Sequence, residues 1–196
     1  MDNKIYEAIE MSIEELGRVF LQYPFIFLNE EDVRCYLYSM MLNKKVLNTP
    51  FKDTSGKHDT IRLHTQLAYE GTAKRDIPDI LVLNDKSILI EPNKPIVFRD
   101  PKSWRRLEDD TPIEIKFAIN PNSEWDNDSI KKDLNKLNEF DNKSYMVMVV
   151  ICGNLNEVDV NSIPCNKSTL YYINANYRKD KPLFLKKKGN QSAIKI

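Results

Sequence analysis

Apolar positions along the chain alternate between helical and strand-like spacing. Ile5, Ala8, Ile9, Ile13, Leu16, Val19 and Phe20 recur with helical period, with Glu7, Glu10, Glu14, Glu15 and Arg18 between them. This predicts an amphipathic first helix over 3–22, ending before Pro24. Asn29 then offers an N-cap, with Glu30, Glu31 and Asp32 in the first turn, where the helix dipole favours acids. The second helix runs to about Leu42. Val33, Tyr36, Leu37, Met40 and Met41 form its main buried face, and Cys35, Tyr38 and Leu42 cover much of the opposite side, so it is expected between two layers. Residues 43–60, with Pro50, Gly56 and clustered polar residues, read as a mobile loop.

A meander of strands is expected next, over Ile61–Tyr69, Ile77–Leu83, Ser87–Ile90 and Ile113–Phe117. Glu91–Asp110, with Pro92, Pro95 and Pro101, reads as an insertion carrying a short strand at Ile96–Phe98 and the cluster Trp104-Arg105-Arg106. A helix over Glu124–Phe140 presents Ile130, Leu134 and Leu137, with Trp125 as a further candidate. Tyr145–Ile151 is an unbroken apolar run, as in a central strand buried on both faces. Thr169–Ile173 reads as an edge strand. The end, from Arg178, is locally basic through Lys179, Lys181 and Lys186-Lys-Lys188, and reads either as a phosphate-contacting tail or as a frayed terminus.

The stretch Thr111-Pro-Ile-Glu-Ile-Lys-Phe-Ala118 carries the candidate chemistry. Ile113, Ile115 and Phe117 alternate with Glu114 and Lys116, so the acid and the amine share one face of a strand whose other face is in the core. Such a face suits a metal and a positioned water. Upstream, Asp79 follows Pro78 and precedes the apolar run Ile80–Leu83, which brings a second acid to the sheet. Asp76 competes for that place but lacks the strand run immediately after it.

Pro78-Asp79 followed by Glu114-x-Lys116, after an acid-opened helix and before a helix and an apolar strand, resembles the PD-(D/E)xK nuclease superfamily. The resemblance covers about 29–152. It implies an α/β fold with a restriction-endonuclease-like core, a mixed sheet flanked by helices in the order α-β-β-β-α-β, within a single domain over 1–196. The helix over 3–22 and the basic segment 166–196 are then additions. It also implies a Mg2+- or Mn2+-dependent nuclease, with Asp79, Glu114 and the backbone carbonyl of Ile115 as metal ligands. Lys116 would orient the attacking water and stabilise hydroxide by its charge, because an ammonium beside two carboxylates does not lose its proton easily. Glu30 is phased to the core side with Val33 and Leu37 and matches the acid of related nuclease domains; Glu31 faces the other way and is the second choice. For Glu30 a role in the dipole alone is equally open. Some relatives carry an acid in the strand before Pro-Asp. Here that place falls to Gln66, a neutral residue that weakens the case for two tightly held metals.

Composition changes this picture little. One domain of 196 residues, 41% hydrophobic, can bury a core without staples. A net charge of zero leaves nucleic-acid binding to local patches, for which Gln66, Arg75, Arg105 and Arg106 are the candidates. DNA is expected over RNA. The alternative is an inactive nucleic-acid- or protein-binding module on the same fold, and a homodimer or a larger defence or repair complex is also open. Cys35, Cys152 and Cys165 sit among apolar residues without ligand spacing and read as reduced core thiols. His58, in a loop, and His64, on a strand, lack zinc-site spacing, and five glycines make a phosphate-cradling loop improbable. With neither a signal-peptide layout nor a bilayer-length apolar run, a soluble cytoplasmic protein without membrane contact is expected.

Overall fold

A computed structural model describes residues 3–65, 78–85, 88–90, 104–106, 110–118, 130–135, 147–153, 158–176 and 181–196. Helix α1 spans Asn3–Gln22, α2 Glu30–Leu42 and α3 Lys45–Asn48. The strands are β1 Phe51–Lys52, β2 Asp59–Thr60, β3 Leu63–Thr65, β4 Ile80–Val82, β5 Ile88–Ile90, β6 Trp104–Arg106, β7 Thr111–Ala118, β8 Val147–Cys152, β9 Thr169–Asn174, β10 Leu183–Lys188 and β11 Ile194–Lys195. Residues 130–135 are helical, and Val160–Ser162 form a short 3-10 turn.

Seven strands make one mixed sheet in the order β11-β10-β9-β8-β7-β4-β3. β3, β4 and β7 are antiparallel neighbours, whereas β7, β8 and β9 run parallel, with the 130–135 helix in the crossover from β7 to β8. The architecture is therefore α/β. Alternation along the strands sorts side chains between two cores. Ile113, Ile115, Val147, Val149, Ile151, Tyr171 and Ile173 face α1 and α2, where Ile9, Ile13, Leu16, Val33, Leu37 and Met41 meet them. Met148, Val150, Cys152, Leu170 and Tyr172 face the other way, onto Ile130, Leu134, Val160 and Ile163. β8 is buried throughout, as its unbroken apolar run requires.

The α2 start follows its sequence. Asn29 Oδ1 accepts the Asp32 N–H at 2.9 Å, and Asp32 Oδ2 accepts the Leu28 N–H at 2.8 Å. The sandwiched arrangement expected of this helix is not found. Val33, Leu37 and Met41 are buried, but Tyr36 is 36% exposed and Cys35 is exposed, its Sγ donating to Glu31 Oε1 at 3.3 Å. Tyr38 and Leu42 are only partly buried against the same core, and only Cys152 and Cys165 are core thiols. Residues 43–60 hold more than a loop. Leu47 of α3 is buried, and Asp53, buried in the β1–β2 hairpin, accepts from the Ser55 hydroxyl and from the N–H groups of Lys57 and His58.

The C-terminal segment departs most from expectation. β9 lies inside the sheet, parallel to β8 and antiparallel to β10, and β11 extends the sheet beyond β10. The lysine run is neither tail nor frayed end. Lys186 pairs with Glu10 at 2.7 Å, Lys188 lies over the Tyr6 ring, and buried Lys187 donates to the carbonyls of Val160, Asn161 and Ile163 at 3.2, 2.7 and 2.6 Å. α1 belongs to the same core as α2 and approaches β10 through Gly17, where an added Cβ would lie 2.3 Å from Phe184 Cε1. Trp104-Arg105-Arg106 forms a strand that pairs with β5 in a separate two-stranded sheet. Gln66, Arg75, Asp76, the strand expected at Ile96–Phe98, and Trp125 and Leu137 lie outside the described residues.

Candidate functional site

β7 outruns β4, and that mismatch builds the site. β4 pairs with β7 only from Thr111 to Ile113, so beyond Ile113 the β4-side edge of β7 has no strand partner among the described residues. A carboxylate takes its next N–H instead. Asp79, just before β4, accepts the Ile115 N–H on Oδ2 at 2.8 Å, and the Glu30 carboxylate, from the start of α2, lies close enough to the Phe117 N–H for that dipole to oppose the rise of its pKa. A backbone donor withdrawn from water needs such an acceptor. In an extended strand the N–H and C=O of one residue leave by the same edge, so the Ile115 carbonyl also leaves β7 on the Asp79 side.

Glu114 and Lys116 share the opposite face from Ile113 and Ile115, as their alternation requires, and both are half-buried. Lys116 Nζ lies 2.9 Å from Glu114 Oε1 and 3.8 Å from Oδ2 of Asp133, on the 130–135 helix. Arg34, one turn beyond Glu30 on α2, places its guanidinium 3.5 Å from Asp79 Oδ1 and also pairs with Glu31. Glu30, Asp79, Glu114 and Lys116 thus converge from three elements. Glu31 stands apart, exposed and bound to Arg34 and Cys35.

Arg34 and Asp133 were not singled out from sequence. Arg34 follows Glu30 by one helical turn and so shares its face; that spacing was the available signal. Asp133 sits beside Leu134 in a helix whose polar positions read as an ordinary solvated flank. Arg105 and Arg106 lie in β6, outside the main sheet. His64 is on β3, with its Nε2 3.0 Å from the Ile61 carbonyl, and burial lowers its pKa.

The electrostatics follow from crowding four acids around few cations. Burial raises the Asp79 pKa above the ordinary carboxylate range, against the pull of the Ile115 N–H, Lys116 and Arg34. Burial does the same to Glu114 and Glu30, opposed by Lys116 and reinforced by the charge of Asp79. Burial works against the Lys116 ammonium, but Glu114, Glu30 and Asp133 together outweigh it, and its pKa is raised. All four directions agree. Lys116 stays charged, and the acids are under-compensated.

Such a donor set suits a hard cation. Asp79 and Glu114 offer carboxylate oxygens and Ile115 a carbonyl, the oxygen chemistry preferred by Mg2+, which binds through one or two carboxylates and keeps several waters. Among the described residues no three His, Cys, Asp or Glu side chains form a group that could hold a metal ion. Any cation here would therefore depend on two carboxylates, the Ile115 carbonyl and water oxygens for the rest. No helix among the described residues is long and apolar enough to cross a membrane. No family model, no curated protein and no solved structure matches the chain.

Proposed function

We propose that the protein is a divalent-metal-dependent nuclease, hydrolysing phosphodiester bonds and most readily those of DNA, on a restriction-endonuclease-like core. The observation that carries this reading is the convergence of Asp79, Glu114 and Lys116 where β7 runs past β4, with Glu30 closing the edge from α2. The order of α2, antiparallel β3, β4 and β7, a helix, and β8 parallel to β7 supports it too.

Asp79, Glu114 and the Ile115 carbonyl would hold Mg2+ or Mn2+, which when bound supplies Lewis acidity toward phosphate and water. The remaining work belongs to the chain. The Ile115 N–H on β7 fixes Asp79 in place, so this carboxylate needs little reorganisation as charge develops. Lys116 would present a charged ammonium to an attacking water, orienting it and favouring hydroxide by its charge. Asp133 and Glu30 help to keep that ammonium charged. Glu114 has one oxygen on Lys116, and its carboxylate would also serve the cation.

The test is cleavage of single- and double-stranded DNA and RNA with Mg2+, with Mn2+ and with chelator. Metal-dependent cutting lost in Asp79→Ala supports the enzyme. Binding that persists without metal and without the acids, in a protein that cuts nothing, would instead make the chain a binding module.

A further inference from the structure

Arg34 has a place in the site that the nuclease reading leaves unused. Its side chain is 12% exposed and Asp79's is 16%, so the two charges meet where water screens them poorly. Asp79 Oδ1 is 3.5 Å away, and Glu31, from the preceding turn of α2, pairs with the same guanidinium. Glu31 is 57% exposed and also accepts from Cys35, so it is held in reach without being buried. Asp79 Oδ2 already accepts the Ile115 N–H, so Oδ1 is the less engaged oxygen, which Arg34 and an incoming cation would both seek.

Resting on the reading of Asp79 as a cation ligand, we propose that Arg34 is a resident counter-charge that occupies Asp79 Oδ1 in the metal-free protein. Glu31, already paired with the guanidinium, is the acceptor that retains it when a divalent cation binds. Arg34 and the cation then compete for one carboxylate oxygen, and the Glu31–Arg34 pair sets the affinity. Glu31, which faces away from the site, acts on it through Arg34.

The test is Mn2+ binding to the full chain without nucleic acid, followed by the loss of the free-ion paramagnetic resonance signal. It compares wild type, Asp79→Asn, Arg34→Gln, Glu31→Gln and the Arg34→Gln/Glu31→Gln double variant. Removing a competing charge at this separation is expected to tighten Mn2+ binding by at least about tenfold in Arg34→Gln. Glu31→Gln should weaken binding, and this weakening should largely vanish in the double variant, because Glu31 works through Arg34. Arg34→Gln binding as wild type or more weakly, or a Glu31→Gln effect that persists without Arg34, would overturn the proposal while Asp79→Asn still abolishes binding. If Arg34→Gln fails to fold, unchanged binding in Glu31→Gln overturns it alone. Wild type and Asp79→Asn binding Mn2+ equally would remove the ligand reading itself, and this inference with it.

Discussion

The Ile115 backbone N–H donates to Asp79 Oδ2 at 2.8 Å, in the position where a longer β4 would have supplied a carbonyl. A side chain thus finishes a strand ladder, and an acid that burial disfavours is fixed against β7 by the fold itself. Everything proposed for the site depends on that join.

Lys116 is held by Glu114 at 2.9 Å and by Asp133 at 3.8 Å, from different elements. Asp133→Asn removes the outer charge and leaves the shape. Activity is expected to fall by about 10- to 100-fold, in the range seen when outer partners of a site are lost, with kcat affected more than KM. Asp133→Glu should recover part of it. A change in KM alone would place Asp133 on the substrate instead.

The crowded acids should also be visible in stability. Asp79, Glu114 and Glu30 all have folded-state pKa values raised above their ordinary ones, so the folded protein binds more protons than the unfolded chain between those values. Their contribution is full below the ordinary carboxylate range and is lost as pH rises through the raised values. In chelator, urea unfolding of the wild type should show this loss between acid and neutral pH. Asp79→Asn and Glu114→Gln should flatten the profile and be at least as stable as wild type at neutral pH, although inactive. Both variants being strongly destabilised at neutral pH would contradict this account of the site.

The sheet strands near the site were legible because alternation is a strong signal: Ile113, Ile115 and Phe117 against Glu114 and Lys116 fixed both faces of β7. Glu30 was legible from its phase with Val33 and Leu37. Asp133 was not, because its tie to Lys116 is tertiary and a charged residue on a helix flank carries no local mark. Cys35 misled for the opposite reason. Apolar residues on two sides of α2 suggested two packed layers, but its fully buried contacts are Val33, Leu37 and Met41; Tyr38, Met40 and Leu42 pack only partly against the same core, and Cys35 is left exposed. The run Lys186-Lys-Lys188 hid a strand, because Lys187 turns inward to three carbonyls and a count of charges cannot see that. Without that strand, β9 looked like the edge.

Gly17 is where α1 meets β10. A Cβ there would fall 2.3 Å from Phe184 Cε1, too close for any side chain without a shift of the ring or the helix. Gly17→Ala should lower stability by about 1–3 kcal/mol, the usual cost of overpacking. In a Phe184→Leu background the same substitution should cost clearly less. Equal costs in the two backgrounds, measured by denaturant unfolding, would show that the helix and not the ring objects.

The most direct measurement is nicking of supercoiled plasmid by wild type, Asp79→Ala and Lys116→Ala, each with Mg2+, with Mn2+ and with chelator. Wild type should nick only with metal, Asp79→Ala should be inactive, and Lys116→Ala should retain residual activity, reduced by about 100- to 1000-fold as when one preorganised charge is removed. Equal nicking by all three folded proteins, or by wild type in chelator, would contradict the assignment of the chemistry to this site.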